Sequence, residues 1–218
     1  MKSTAIIFFS ITMDALYDFI EQCCKEQRID ESHDLSHSKS ALRWAHLLMD
    51  SFSDLRQDER QVISYAIALH DMCDSKYTDT ELAAVKIKDW LLTQTVSGEN
   101  CNAILAIIQT MSYSKLKKQV VNGQPVYPDH GKWQRSYHIV RHADLLDAYI
   151  VRRCFQYNKH IYPDLDDNVT WSAVELLFEN RVFKYISDGW IFYPKALELA
   201  NPLIQEARKT LLEKKFTQ

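Results

Sequence analysis

The sequence predicts an all-α fold, a bundle of about seven to eight helices. All of its strong hydrophobic periodicities have helical spacing. The chain contains only 4 Gly and 5 Pro, which leaves little room for linkers or strand turns. Its 218 residues, 46% of them hydrophobic, are enough to bury a substantial core. We therefore expect one domain, residues 1–218.

The helices are placed by apolar stripes and by start signals. Asp58 and Asn100 are suitable N-caps, Thr78 and Glu81 have capping-box spacing, and Pro194 can open a last helix. The expected helices are 11–27, 37–52, 58–70, 79–96, 100–112, 136–157, 168–185 and one beginning at residue 194.

The segment 113–135 is long for a connection and carries turn signals. Asn122-Gly123 predicts a small hairpin. The segment is basic, with one acid, Asp129, against five cations, which are Lys115, Lys117, Lys118, Lys132 and Arg135. Two interpretations stay open: a lid that meets phosphates, or a solvated excursion.

Composition excludes several classes of protein. A formal charge of −3 argues against a nucleic-acid binder, which usually has a strong basic excess. The chain has five cysteines, an odd number, and none of them has CxxC spacing. This pattern is expected of a protein in a reducing compartment, where disulfides are rare. The apolar N-terminal run is too short to span a membrane and has no clear cleavage site. We expect a cytoplasmic protein that contacts neither membrane nor nucleic acid.

The stretch AIALHDMCDSKY, residues 66–77, is the strongest functional signal. Its apolar helical spacing places His70 on the buried side, with Asp71 next to it. A buried imidazole and carboxylate are costly unless they are paired, and a divalent metal would pair both. The alternative is a core histidine at a helix end with a capping aspartate.

Two other predicted helices carry side chains of the same kind on apolar faces, His37 and Asp144. Two imidazoles and two carboxylates suit Mn, Fe, Co or Ni better than a closed thiolate zinc site. Four protein ligands leave two positions of an octahedron for a water and a phosphate oxygen.

Three stretches, SHDLSHSKSALRWAHLL, AIALHDMCDSKY and VRHADLLDAY, resemble the HD-domain metal-dependent phosphohydrolases. The resemblance covers about residues 32–152; the C-terminal helices, 168–216, give no motif. It implies a compact all-α bundle with a buried metal held by His37, His70, Asp71 and Asp144. Two positions depart from the family pattern: His142 stands where an acid is usual, and Leu145 where an arginine is usual. Neither is a ligand.

The resemblance is closest to small single-domain nucleotide phosphohydrolases, and it suggests roles for nearby residues. His33 could donate a hydrogen bond or a proton, and Asp74 is the candidate general base. The structural alternatives are a loop-packing histidine and an aspartate that ties down a loop. Three cations are candidates for binding substrate phosphate: Lys76, Lys115 and Arg141.

The expected function is a metal-dependent phosphohydrolase that acts on a small phosphorylated molecule, a nucleotide, by attack of a metal-bound water on phosphorus. Nucleoside triphosphate pyrophosphohydrolase ranks first, then nucleoside monophosphatase or ppGpp-like hydrolase. One divalent metal is expected, Mn first, with Fe, Co, Ni or Mg as alternatives. The chain would be a monomer or homodimer. The alternative is a non-catalytic HD-fold module that binds a nucleotide or a metal.

Overall fold

The computed structural model describes residues 2–216, with side chains from Met13 to Lys214. Within that part of the chain there are ten α-helices and one two-stranded hairpin. The elements are α1 (Lys2–Gln27), α2 (Leu35–Met49), α3 (Gln57–Leu69), α4 (Thr80–Thr93), α5 (Gly98–Thr110), α6 (Tyr113–Leu116), β1 (Val120–Val121), β2 (Gln124–Pro125), α7 (Gln134–Asp147), α8 (Val151–Ile161), α9 (Asp167–Asn180) and α10 (Pro194–Phe216).

The all-α prediction is confirmed, but the helix number is higher than the seven to eight expected. The predicted helix 136–157 is two helices, because the chain turns between Asp147 and Val151. Ile150 is extended, with φ −74° and ψ 95°. On one side of the turn α7 packs on α2 and α3, and on the other side α8 packs on α9. The short helix α6 was not predicted either.

Two predicted helix starts are also corrected. The N-cap of α3 is Arg56 rather than Asp58, because the Glu59 carboxylate accepts a hydrogen bond from the Arg56 backbone at 3.2 Å. Helix α5 begins at Gly98 rather than near residue 100. The hydroxyl of Ser97 caps it by accepting from the backbone N–H of Asn100 at 3.2 Å.

The core is built around α3, which packs against α2, α5 and α7, and α2 also packs against α7. Helix α1 packs on α2, and α4 packs on α5. Helices α8, α9 and α10 contact each other, and α10 also contacts α7. This arrangement brings the start of α2, the end of α3 and the end of α7 to one place, which is where the candidate site lies.

The hairpin prediction is confirmed. Strands β1 and β2 pair antiparallel around Asn122 and Gly123, which both have positive φ, 51° and 76°. The rest of the segment 113–135 contains α6 and a 3-10 helix at Gly131–Trp133, so it is partly ordered into local structure.

None of the helices described by the structure is long and apolar enough to cross a membrane. The apolar run that precedes Met13 has its backbone in α1, and its side chains lie outside the described residues.

Candidate metal centre

His37 enters the site because of the way α2 begins. The Asp34 carboxylate caps the helix by accepting from the backbone N–H of Ser36 at 2.7 Å, and His37 follows in the first turn. The side chain is buried, and its Nδ1 lies 2.7 Å from Oδ2 of Asp147. An ionised carboxylate only accepts hydrogen bonds, so Nδ1 carries the proton and Nε2 keeps a free lone pair.

His70 lies at the end of α3, where the chain passes into a 3-10 helix over His70–Cys73. Its Nδ1 lies 2.7 Å from the backbone carbonyl of Ile67. A carbonyl oxygen also only accepts, so in the neutral ring Nδ1 again holds the proton and Nε2 is free. The turn places Asp71, also buried, beside the imidazole.

Three ligand atoms meet at this point. The Nε2 atoms of His37 and His70 are 3.2 Å apart, and Oδ2 of Asp71 lies 3.3 and 3.4 Å from them. That oxygen is buried and has no hydrogen-bond partner among the described residues. Two lone pairs and a carboxylate oxygen at such distances repel unless a proton or a metal cation lies between them. These three residues could therefore hold a metal ion.

Asp144, the fourth residue predicted as a ligand, lies at the edge of this group. Its Oδ1 is 3.7 Å from Nε2 of His37 and 3.6 Å from Nε2 of His70. Its side chain is 25% exposed, more than that of Asp71 at 8%. The structure therefore brings all four predicted ligands together, with Asp144 on the open side.

The charges of this cluster are coupled. Burial lowers the pKa of His37, and the charge of Arg153 adds to that effect. Burial also lowers the pKa of His70, but the charges of Asp71 and Asp144 outweigh it and raise the pKa to about 9. Without a metal, Nε2 of His70 therefore holds a proton near neutral pH, and a bound metal would replace that proton. Burial raises the pKa values of both carboxyls, yet the imidazoles hold them below their ordinary range. The site thus presents ionised carboxylates, as a cation requires.

Asp147 orients His37 and is not placed to be a ligand. Its Oδ2 accepts from Nδ1 of His37 and, at 2.6 Å, from Nη1 of Arg153. Its Oδ1 accepts from the Ser40 hydroxyl and, at 3.0 Å, from Nε1 of Trp44. Burial raises its pKa, but these partners outweigh burial and lower the pKa to about 2. Such hydrogen bonds to the distal ring nitrogen are typical of metal-binding histidines.

A cavity of about 1000 Å³ opens beside the cluster. His70, Asp71 and Asp144 form part of its wall, and His37 does not. Six cations and three carboxylates line it. The cations are Lys76, Lys115, Lys117, Lys118, Arg153 and Arg181. The excess of cations makes the cavity suitable for an anionic ligand.

His33 lines this cavity and is held by a compact network. Its Nδ1 lies 2.7 Å from the Ser32 hydroxyl, 3.0 Å from the Tyr77 hydroxyl and 3.2 Å from Oδ2 of Asp30. Burial raises the pKa of Asp30, but the hydrogen bonds of its three partners outweigh burial and keep the carboxyl ionised. Nδ1 therefore carries a proton, and Nε2 is the atom left for a ligand.

Asp74 and Lys76 also lie on the cavity wall. Oδ1 of Asp74 accepts from the backbone N–H of Lys76 at 2.9 Å, and its Oδ2 lies 3.5 Å from the Lys76 ammonium. The ammonium lies 5.4 Å from the centre of the Tyr157 ring. Asp74 thus shapes the local turn, as the structural alternative expects, while it also faces the site.

The predicted phosphate-binding cations divide between the cavity and the core. Lys115 lies at the cavity, where it also donates to the Gln109 carbonyl at 3.0 Å. Arg141 requires a correction, because it is buried away from the cavity. Its guanidinium lies 4.1 Å from the centre of the Tyr127 ring and donates to the Trp190 carbonyl at 3.4 and 3.5 Å. The helical face assumed for Arg141 packs into the aromatic core.

Only some of the cations of the basic segment 113–135 line the cavity. Lys117 and Lys118 line the cavity beside Lys115. Lys132 pairs with Glu99, and Arg135 pairs with Asp54 and Glu59, so these two do not contribute to it. The sequence patterns did not indicate Arg153 or Arg181 at the cavity, and they indicated no role for Asp147. A basic residue soon after the HADLLDA phrase was the only available signal for Arg153.

No protein-family model matches the chain, and no curated protein matches it.

Proposed function

We propose that this chain is a metal-dependent phosphohydrolase that acts on a small phosphorylated molecule, a nucleotide. The observation that carries the proposal is one juxtaposition. Two imidazole Nε2 atoms and the unpaired Asp71 oxygen meet at the wall of a cavity that is lined by six cations. Imidazole and carboxylate donors suit divalent Mn, Fe, Co or Ni, and the cations suit phosphate.

One divalent metal would be held by His37, His70, Asp71 and Asp144. When bound, it would lower the pKa of a water and offset negative charge at phosphorus. Asp74 would accept the proton of the attacking water. His33, whose Nδ1 is occupied by the Asp30 network, would act as the imidazolium, and its Nε2–H would donate to the phosphate or give its proton to the leaving oxygen. Lys76 and Lys115 would hold the remaining phosphates.

Within this class we rank nucleoside triphosphate pyrophosphohydrolase first. A cavity of about 1000 Å³ is large enough for a nucleotide, since ligand pockets usually measure about 300–1,000 Å³. The three lysines of the segment 115–118 provide several positive charges for a chain of phosphates. Nucleoside monophosphatase and ppGpp-like hydrolase come next. A monomer or homodimer in the cytoplasm is part of the same proposal.

The test is a substrate screen of the full-length chain. NTPs, dNTPs, monophosphates and ppGpp are each incubated with Mn, Co, Ni or Mg, and phosphate and pyrophosphate are detected separately. Release of pyrophosphate from one nucleotide, with loss of activity in His70→Ala, is the expected result. Binding of metal without turnover of any of these compounds would instead favour a non-catalytic binding module.

A further inference from the structure

Arg153 is a cavity residue whose guanidinium is held in place from two sides. It lies in the first turn of α8. Its Nε donates to the Ser32 carbonyl at 2.8 Å, and its Nη1 donates to Oδ2 of Asp147 at 2.6 Å. A guanidinium has five N–H groups, and neither of these bonds uses Nη2. The side chain is 18% exposed and lines the cavity.

The guanidinium of Arg153 lies close to the candidate metal centre. The guanidinium interacts electrostatically with Asp147, Asp144 and Asp71. Asp147, its direct partner, is fully buried and is also bonded to His37. The two fixed bonds orient the planar group before any ligand arrives, so little rotamer freedom remains to be lost on binding.

We propose that Arg153 is a fixed anion-binding residue of the cavity and that it takes a phosphate oxygen of the ligand through Nη2, which its hydrogen bonds to the described residues leave free. The assignment rests on the proposed function for the nature of the ligand. The Asp147 carboxylate contacts both His37 and Arg153. One carboxylate would therefore position both the metal ligand and the phosphate-binding group.

A competing role is that Arg153 only neutralises the buried charge of Asp147. A double variant separates the two roles. Asp147→Asn has nearly the same shape, keeps an oxygen that can accept from His37, and removes the charge that needs neutralising. If neutralisation were the only role of Arg153, then Arg153→Gln combined with Asp147→Asn would bind anions like the native chain.

The experiment is a calorimetric titration of inorganic phosphate into the full-length, Mn-loaded chain. Arg153→Gln should weaken phosphate binding by about tenfold or more, since a charge-assisted hydrogen bond is lost. The double variant should stay equally weak. Arg152→Gln is the matched control, because Arg152 is the exposed neighbour in the same turn, and it should bind as the native chain does. Metal content and melting temperature are measured for every variant.

If Arg153→Gln does not fold, Arg153→Lys keeps the charge beside Asp147 and is measured in the same way, with several-fold weaker binding expected. Native affinity in Arg153→Gln or in the double variant would overturn the assignment. If phosphate binds through Arg153 but the chain cleaves no nucleotide, the assignment of Arg153 stands and the proposed phosphohydrolase function fails. If the chain cleaves a nucleotide but Arg153→Gln binds phosphate with native affinity, the proposed function stands and the assignment of Arg153 fails.

Discussion

Two buried aspartates of this site differ in what their oxygens contact. Both oxygens of Asp147 accept hydrogen bonds, from four different side chains. Oδ2 of Asp71 is buried and accepts none among the described residues. A fully satisfied carboxylate orients its neighbours, whereas an unsatisfied one needs a cation. The hydrogen-bond pattern therefore distinguishes the candidate ligand from the residue that positions it.

The first prediction separates metal binding from chemistry. Asp71→Asn should lose both metal and activity, because it replaces a candidate ligand. Asp74→Asn should keep metal and melting temperature but lower kcat, since general-base contributions are typically about 10²–10⁴-fold. KM should change little, because that interaction strengthens mainly in the transition state. The comparison needs metal content, melting temperature and kcat for both variants on one substrate.

A near-normal kcat in Asp74→Asn would show that Asp74 is not the general base and that its role is to stabilise the turn at Lys76. Its hydrogen bond to the Lys76 backbone shows that this structural role is already present.

The second prediction concerns Asp147 and stability. Asp147→Ala should lower the free energy of unfolding by about 3–5 kcal/mol, because it leaves Arg153 and His37 without their shared partner in a buried site. Asp147→Asn should cost less, since an acceptor for His37 remains. Denaturant unfolding of the two metal-free variants measures the difference. A loss near the roughly 0.5 kcal/mol of an ordinary surface substitution would contradict this account.

Residue types and helical spacing were enough to select the four residues that the structure brings together. His37, His70 and Asp144 each stand on an apolar stripe of a predicted helix. Arg141 shows the limit of such reasoning, because a helix of this core has apolar neighbours on more than one side and spacing does not tell them apart. The role of Arg153 depends on a turn that spacing did not predict.

The break between α7 and α8 is the element that makes the Arg153–Asp147 contact possible. In one continuous helix, residues six positions apart lie on different faces, because each residue advances by about 100°. Here α7 ends at Asp147 and α8 begins at Val151, and the two side chains meet at 2.6 Å. The sequence did not predict this break, because apolar residues keep helical spacing across residues 136–157. Apart from this break and from α6, the helices were predictable, because their apolar residues recur at helical spacing.

The third prediction concerns α6 and the residues after it. Replacing Lys115, Lys117 and Lys118 by Ala should raise KM for a polyphosphate substrate several-fold while metal content stays constant, since all three line the cavity. Lys132→Ala is the control. It belongs to the same basic segment but pairs with Glu99, so its KM should be native. An unchanged KM in the triple variant would identify the lysines as solvated surface charges.

The fourth prediction concerns the molecule as a whole. Removal of metal with EDTA should lower the melting temperature, because a ligand that binds only the folded chain adds stability, about 2.7 kcal/mol at 100 times its Kd. Elemental analysis should give one metal per chain. In His70→Ala the melting temperature should no longer respond to added Mn. Two tightly held metals per chain, or a native melting temperature that ignores EDTA, would count against the single site.

The hydrogen bond between His37 and Asp147 joins residues 110 positions apart. A ribosome adds about 5–20 residues per second, so on the order of 5–20 s separate the synthesis of the two. Once His70 and Asp71 have been added, the nascent chain carries three of the four candidate ligands but not yet α7, which supplies Asp144 and Asp147. If the site binds a metal as proposed, the metal would be acquired late in the synthesis of the chain, and a chain truncated before α7 would lack Asp144 and Asp147.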